Sequence, residues 1–296
     1  MNLRSLQEYL LEARNRGWAV GHFNVSESDQ MRAICEAAAE LNTVAMVGTS
    51  EGEARHFGYL EAVALRDAFR QEFSIPVFLN ADHHKSVEMA KKAVDAGYDS
   101  IHIDLSAKSF EENIAGTREV VEYARSEAGI KNKELGINIE GELGYLAGES
   151  KVQSEKIAVS EKDYTNPDQA LEFVEKAGVN RLAIVVGNIH GISLDEPNLD
   201  IERIKKIRSI IPKEVALVLH AGSGILDEQI KAAIAAGIAN IHINTDIRVV
   251  YTEALRKELS ALPDETTPYK FDEKAKLALK DMVMAKLRLF GSINTI

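Results

Sequence analysis

Short apolar runs rich in β-branched residues alternate along this chain with longer amphipathic stretches. Residues 3–16 carry a helical pattern, and 18–25 follow as a first strand. Ser26, Glu27, Ser28 and Asp29 offer N-cap residues for a helix running through Leu41. A second strand over 43–49 ends in Ser50-Glu51-Gly52-Glu53 and leads into a helix that reaches about Phe73. The third strand ends at Asp82-His83, with a helix over 87–96. A fourth strand covers 100–104 and its helix 110–128. The fifth, 136–142, precedes the only long polar connection, 144–166. Beyond it the pattern predicts a helix over 168–177, a strand over 182–186, a helix over 201–211, a strand over 215–219 and a helix over 227–236. An eighth strand over 238–244, a helix over 246–262 and a final helical tail over 268–290 complete the chain. Eight strands alternating with helices, with strand cores apolar on both faces, predict an α/β fold. The closed parallel (β/α)8 TIM barrel fits better than an open sheet, with one extra helix at each end. No composition break or Gly/Ser/Pro linker interrupts residues 1–296, which predicts one domain.

With 296 residues and 45% hydrophobic content, the chain can bury a large core. No stretch is apolar enough to span a bilayer, and the amphipathic start lacks the apolar core of a signal peptide, so a cytosolic enzyme is expected. The single cysteine, Cys35, lies inside a helical run; it excludes a disulfide framework and reads as a buried thiol rather than a nucleophile. A net charge of −11 argues against a nucleic-acid surface, so an anionic substrate has to be held by local groups.

Those groups gather at strand ends. His83, His190 and His220 each close a predicted strand beside turn-forming residues, in Ala81-Asp82-His83, Gly187-Asn188-Ile189-His190-Gly191 and Leu219-His220-Ala221-Gly222-Ser223-Gly224. In a parallel barrel all three imidazoles emerge at one rim, where neutral nitrogens can converge on a zinc ion. A single such histidine reads as a hydrogen-bonded core or loop residue; three at matching ends read as a site. Asp82, Asp104, Glu140 and Glu142 belong to the same rim, and Asp82 is placed for general acid/base work or for orienting the histidine beside it. His220-Ala221-Gly222-Ser223-Gly224 and Asn244-Thr245-Asp246 both lead into helices, whose backbone N–H groups favour a phosphate.

These blocks, with Ile103-Asp104-Leu105-Ser106 and Glu140-Gly141-Glu142-Leu143-Gly144, resemble the class II, zinc-dependent ketose-bisphosphate aldolases over nearly the whole chain. The resemblance implies that His83, His190 and His220 bind the catalytic zinc and that Asp82 exchanges the proton of the aldehyde-derived oxygen. It also implies that Asp104 and Glu142 serve a second or displaced cation position. Gly191, Gly222, Ser223, Asn244, Thr245 and Asp246 would surround the dihydroxyacetone-phosphate end. Asn24 and Ser50 would line the pocket, and Arg248 would reach the distal phosphate of a neighbouring subunit in a homodimer or homotetramer. Glu149, with Glu155 as the alternative, matches the acid of a mobile loop, and a solvated loop acid is the competing reading. Several positions depart from the family pattern. Asn80 replaces a histidine, His242 and Asn244 replace an asparagine and an aspartate, and Ala221 replaces a glycine. No lysine follows Gly191, and Thr267-Pro268-Tyr269-Lys270 stands in for a late arginine motif.

The expected activity is reversible cleavage of a phosphorylated ketose, first of all fructose 1,6-bisphosphate, to dihydroxyacetone phosphate and glyceraldehyde 3-phosphate. Tagatose bisphosphate or another phosphorylated ketose is the alternative substrate. A non-catalytic sugar-phosphate-binding barrel and a metallohydrolase remain as readings of the same residues.

Overall fold

A computed structural model describes residues 4–126, 135–155, 157, 160–192 and 198–296. After helix α1 (Leu6–Arg16) come β1 (Val20–Asn24), α2 (Ser28–Glu40), β2 (Ala45–Ser50), α3 (Glu51–Phe57), α4 (Tyr59–Phe73), β3 (Val77–His84) and α5 (Val87–Ala96). The chain continues through β4 (Ser100–Ile103), α6 (Phe110–Arg125), β5 (Asn138–Leu143), β6 (Gly148–Val152), α7 (Pro167–Ala177), β7 (Arg181–Ile184) and β8 (His190–Ile192). It ends with α8 (Ile201–Ile210), β9 (Ala216–Leu219), α9 (Asp227–Ala236), β10 (Ile238–Ile243), α10 (Thr245–Ala261), α11 (Pro268–Phe271) and α12 (Glu273–Leu289). Eight strands close into a parallel barrel in the order β1-β10-β9-β7-β5-β4-β3-β2, as the alternating pattern predicts. Among the described residues no helix is long and apolar enough to cross a membrane.

Four details differ from the expectation. The helix expected from 51 to 73 is two helices, because Gly58 at φ +93° breaks the run and serves as the cap between them. The tail likewise divides into α11 and α12 at Asp272. The polar connection after β5 contains a strand: β6 pairs with β8 in a separate two-stranded sheet. The strand cores are also not apolar on both faces. Their outer faces pack against the helices through a large aliphatic core, but inside the barrel Asn80, Ser100, Glu140, Arg181 and Asn240 are all fully buried. The expected starts at 1–3, the end of the helix at 127–128 and the stretch after Ile192 lie outside the described residues.

Helix α1 explains how one end of the barrel stays dry. Ser5 caps it in a reciprocal box with Glu8, and Leu6, Tyr9, Leu10 and Ala13 form its buried stripe. That stripe packs with Val20, Val44, Met46, Phe78, Ala216 and Ala239 into a plug at the N-terminal mouth. Polar side chains are thereby confined to the C-terminal half, where the chemistry of such barrels is built.

Above the plug the interior is tightly fitted. Gly48 in β2 has no side chain, and a Cβ there would overlap the His22 ring, which is completely buried and bonded to Asn80 at 3.2 Å. Gly48→Ala is expected to cost about 1–3 kcal/mol by overpacking. Urea unfolding of the variant checks this, and an unchanged midpoint would show that His22 has room to shift.

Candidate active site

The C-terminal mouth opens into a cavity of about 730 Å³. Among the residues expected from sequence, Asn24, Ser50, Asp82, His83, Asp104, Glu142, Glu149, His190, Gly191, His220, Ser223, Asn244, Thr245 and Arg248 line it. Gly222 and Asp246 do not. The Gly222 N–H is bonded to the His242 carbonyl at 2.9 Å, and a Cβ there would strike Ile241, while the Asp246 carboxylate turns outward to Lys286 at 2.8 Å. Glu155 is likewise absent from the lining.

His83 is aimed by local backbone geometry. The β3–β4 register shifts between Ala81 and His84, and His83 takes φ +45°, a left-handed conformation that a side chain tolerates only when its surroundings hold it. Its ring Nδ1 meets Asp104 at 2.9 Å. The Asp104 carboxylate is held in turn by the Ser106 hydroxyl at 2.6 Å. His220 is fixed from below, its Nε2 lying 2.6 Å from Glu140. In both rings one nitrogen is tied to a carboxylate and the other is left for a ligand, the arrangement that orients metal-binding imidazoles.

The rings converge. His83 stands 4.6 Å from His220 and 5.1 Å from His190, measured between ring centres, and His102 is 4.5 Å from His83. His22 and His242 stack at 3.7 Å behind His220. Among the described residues, Asp82, His83, His102 and His220 each place one donor atom within 4.8 Å of the others, and His83, Asp104 and Glu142 form a second such group. His190 belongs to neither tight group; it faces His83 from the short β6–β8 sheet. Gly191, at φ +91°, permits that sheet, since any Cβ would strike the Lys151 carbonyl.

Charge makes the case for a cation. Asp82, Glu140 and Glu142 are buried and Asp104 nearly so, whereas Arg181 is the permanent cation buried among them. Burial would push the Asp82 carboxyl up, but the His83 charge and bonds from His102 and His242 hold it well below the usual carboxylate range. Asn24 donates to it at 3.0 Å. Burial alone would strip the proton from His102, yet Glu140, Asp82 and Glu142 together raise it well above the ordinary value. Burial and the neighbouring imidazoles push His190 down to about 3, which keeps it a neutral nitrogen donor. Burial also opposes charge on His83, but Asp82, Asp104 and Glu142 draw it up; a divalent cation meets the same demand for positive charge. The residues present therefore fit a bound metal ion, with nitrogen donors oriented by carboxylates and a surplus of buried negative charge.

Three groups are given no role by the sequence reading, although His102 counts there among the histidines of the strand ends. His102 and His22 alternate with apolar neighbours in β4 and β1, and that period-two pattern points them into the barrel. Arg181 precedes the apolar run of β7 by one residue, so it resembles a solvated strand start. Its guanidinium instead reaches Glu140 at 2.9 Å and Asn80 at 3.2 Å, with Asn240 and Ser100 completing its shell. Glu149 and Arg248 are pocket residues with partners of their own. Glu149 pairs with Lys151 at 2.7 Å, and Arg248 bonds Glu53 at 2.7 Å and the Ser150 carbonyl at 3.2 Å.

Arg181 leaves a measurable trace. Arg181→Met would strand Glu140 as an unpaired buried carboxylate, at an expected cost of about 3–5 kcal/mol. Urea unfolding measures it. A loss below about 1 kcal/mol would mean that Glu140 is satisfied by His220 and His102 alone.

The family described as fructose-bisphosphate aldolase class-II matches residues 4–295. The probable fructose-bisphosphate aldolase of Bacillus subtilis is 36% identical over 297 residues, covering 99% of each chain. Among solved structures, the YdjI aldolase of Escherichia coli K12 superposes with a TM-score of 0.81 at 30% identity, over 98% of both chains. A putative fructose-1,6-biphosphate aldolase from Coccidioides immitis gives a TM-score of 0.82 at 26% identity, over 99% of this chain and 98% of that one.

Proposed function

The chain belongs to the class-II fructose-bisphosphate aldolases, a family of metal-dependent aldehyde-lyases, and from that premise we propose that it cleaves fructose 1,6-bisphosphate reversibly with zinc as its metal. The observation that carries the proposal is the convergence of His83, His190 and His220 beside Asp82 at the C-terminal mouth. Held by these three histidines, zinc supplies Lewis-acid stabilisation of the negative charge left when the bond between C3 and C4 parts. Asp104 and Glu142 offer a second cation position beside His83.

The remaining work falls to protein groups. Asp82, kept ionised by its imidazole neighbours, takes the C4 hydroxyl proton as the aldehyde leaves and returns it in condensation. Asn24 fixes that carboxylate while spanning to Glu53, 2.9 Å away. At the other end of the substrate, Gly191, Ser223 and Thr245 receive the dihydroxyacetone-phosphate group near the N-terminus of α10. The Ser223 oxygen accepts from the Asp246 N–H at 3.2 Å, which leaves its proton for the phosphate. Asn244 Oδ1 is buried without a partner among the described residues and is free to accept from a sugar hydroxyl. Glu149, on the strand paired with that of His190, takes and returns the proton of the ketose-phosphate half.

Cleavage assayed as triose phosphate release is expected to vanish on chelation and to return with zinc. Borohydride added with substrate should leave the enzyme active, because no lysine forms a Schiff base here; trapped, inactivated protein would reject the reading. Asp82→Ala is expected to lose about 10²–10⁴-fold in turnover. A parallel assay on tagatose 1,6-bisphosphate reports the preference at C4.

A further inference from the structure

Glu53 takes no direct part in the chemistry above, yet its side chain is buried beside it, 7% exposed, and three donors meet its carboxylate. Oε2 accepts from the Ser50 N–H at 2.8 Å and from Asn24 Nδ2 at 2.9 Å, while Oε1 accepts from the Arg248 guanidinium at 2.7 Å. These donors stand at the end of β2, at the end of β1 and on α10. Capping α3 does not require so much. Ser5 with Glu8, and Ser109 with Glu112, form the same reciprocal box on α1 and α6, and in both the glutamate is exposed and its carboxylate bonds the serine of its own turn. Glu53 is turned into the site instead. A glutamine there would set its NH2 against one of the three donors.

Asn24 joins Glu53 to the proton carrier. Its side-chain amide has two N–H bonds, and Nδ2 lies 2.9 Å from Glu53 Oε2 and 3.0 Å from Asp82 Oδ2. An oxygen acceptor on each side selects the NH2 end of the amide and fixes its plane. With one acceptor alone, the amide could turn about its last torsion, which is broad, and still keep that bond. Asp82 Oδ1 faces His242 Nδ1 at 3.3 Å, so Asn24 settles the other oxygen and with it the plane in which the carboxylate meets the C4 hydroxyl.

We propose that Glu53 is a positioning residue: by holding the Asn24 amide it fixes the Asp82 carboxylate for proton exchange with the C4 oxygen. This rests on the aldolase reading for the role of Asp82. The two halves of the chemistry can be assayed apart. Dihydroxyacetone phosphate alone in heavy water exchanges a carbon-bound proton for a deuteron through Glu149, with no C4 oxygen present, whereas cleavage of fructose 1,6-bisphosphate needs Asp82. Zinc-loaded Glu53→Gln is expected to lose roughly tenfold in kcat for cleavage and to keep the parent exchange rate within about twofold. Asn24→Ala, which leaves the box between Ser50 and Glu53 in place, should show the same split. In an Asp82→Ala background Glu53→Gln should cost nothing further, because the group it positions is gone. Equal loss of cleavage and exchange, or a loss that persists without Asp82, would assign Glu53 to stability alone and overturns the proposal. Nitrogen-15 spectra of the Asn24 amide give a readout without turnover: Glu53→Gln is expected to shift the Nδ2 protons, and unchanged signals also overturn it. If the parent neither cleaves nor exchanges, the aldolase reading fails and this inference with it. If the parent does both and Glu53→Gln matches it in both, this inference fails alone.

Discussion

An imidazole binds a metal well only when its other nitrogen is held, and in this protein the holding is done by carboxylates that are themselves buried. Glu140 lies beneath His220 and Asp104 beside His83, at 2.6 Å and 2.9 Å. A buried carboxylate is costly unless it is paired, so each requires support. Arg181 supports Glu140 from inside the barrel, and the hydroxyl and backbone N–H of Ser106 support Asp104. The orientation of the candidate ligands is therefore only as firm as a buried guanidinium and a turn.

That dependence explains the layering of the interior. Apolar residues from α1 and the strand starts close the lower mouth, and a fully buried layer of Asn80, Ser100, Arg181 and Asn240 follows. Above it the histidines meet, and above them the cavity opens. Each layer conditions the next, because the plug excludes water from the polar layer and thereby strengthens the electrostatic link between Arg181 and Glu140. Gly48, against the His22 ring, and Gly191, against the Lys151 carbonyl, are positions where neighbours approach so closely that only a bare Cα fits.

The barrel was legible in the sequence because its signal is periodic: apolar runs and amphipathic helices repeat at lengths set by the fold. The strand-end histidines were legible for the same reason, since a polar residue closing an apolar run is out of place anywhere but at a rim. What stayed hidden lacked such a frame. Strands β6 and β8 are short and polar, and they pair across about forty residues, so local pattern does not betray them. Gly58 lay inside an otherwise continuous helical pattern, where its left-handed backbone, rather than any change in hydrophobicity, makes the break. Arg181 is the instructive failure. A charged residue at a strand boundary reads as solvated, and only the closure of the barrel reveals that its Glu140, Asn80 and Ser100 partners arrive from three other strands.

The electrostatics of the mouth follow from the same stratification. A chain with 46 acidic and 35 basic residues would repel an anionic sugar if its charge were spread evenly. Here the acids nearest the cavity floor are already turned toward imidazoles and Arg181, so their field is largely spent within the protein. Facing the opening are the N-terminus of α10 on one bank and Lys85 and Lys108 on the other, with the Glu51 carboxylate beside Lys85. Low-dielectric walls carry their field across the opening better than free water would. An acidic protein can thus set cationic groups at its entrance, because the placement of charge with depth decides what an approaching phosphate meets.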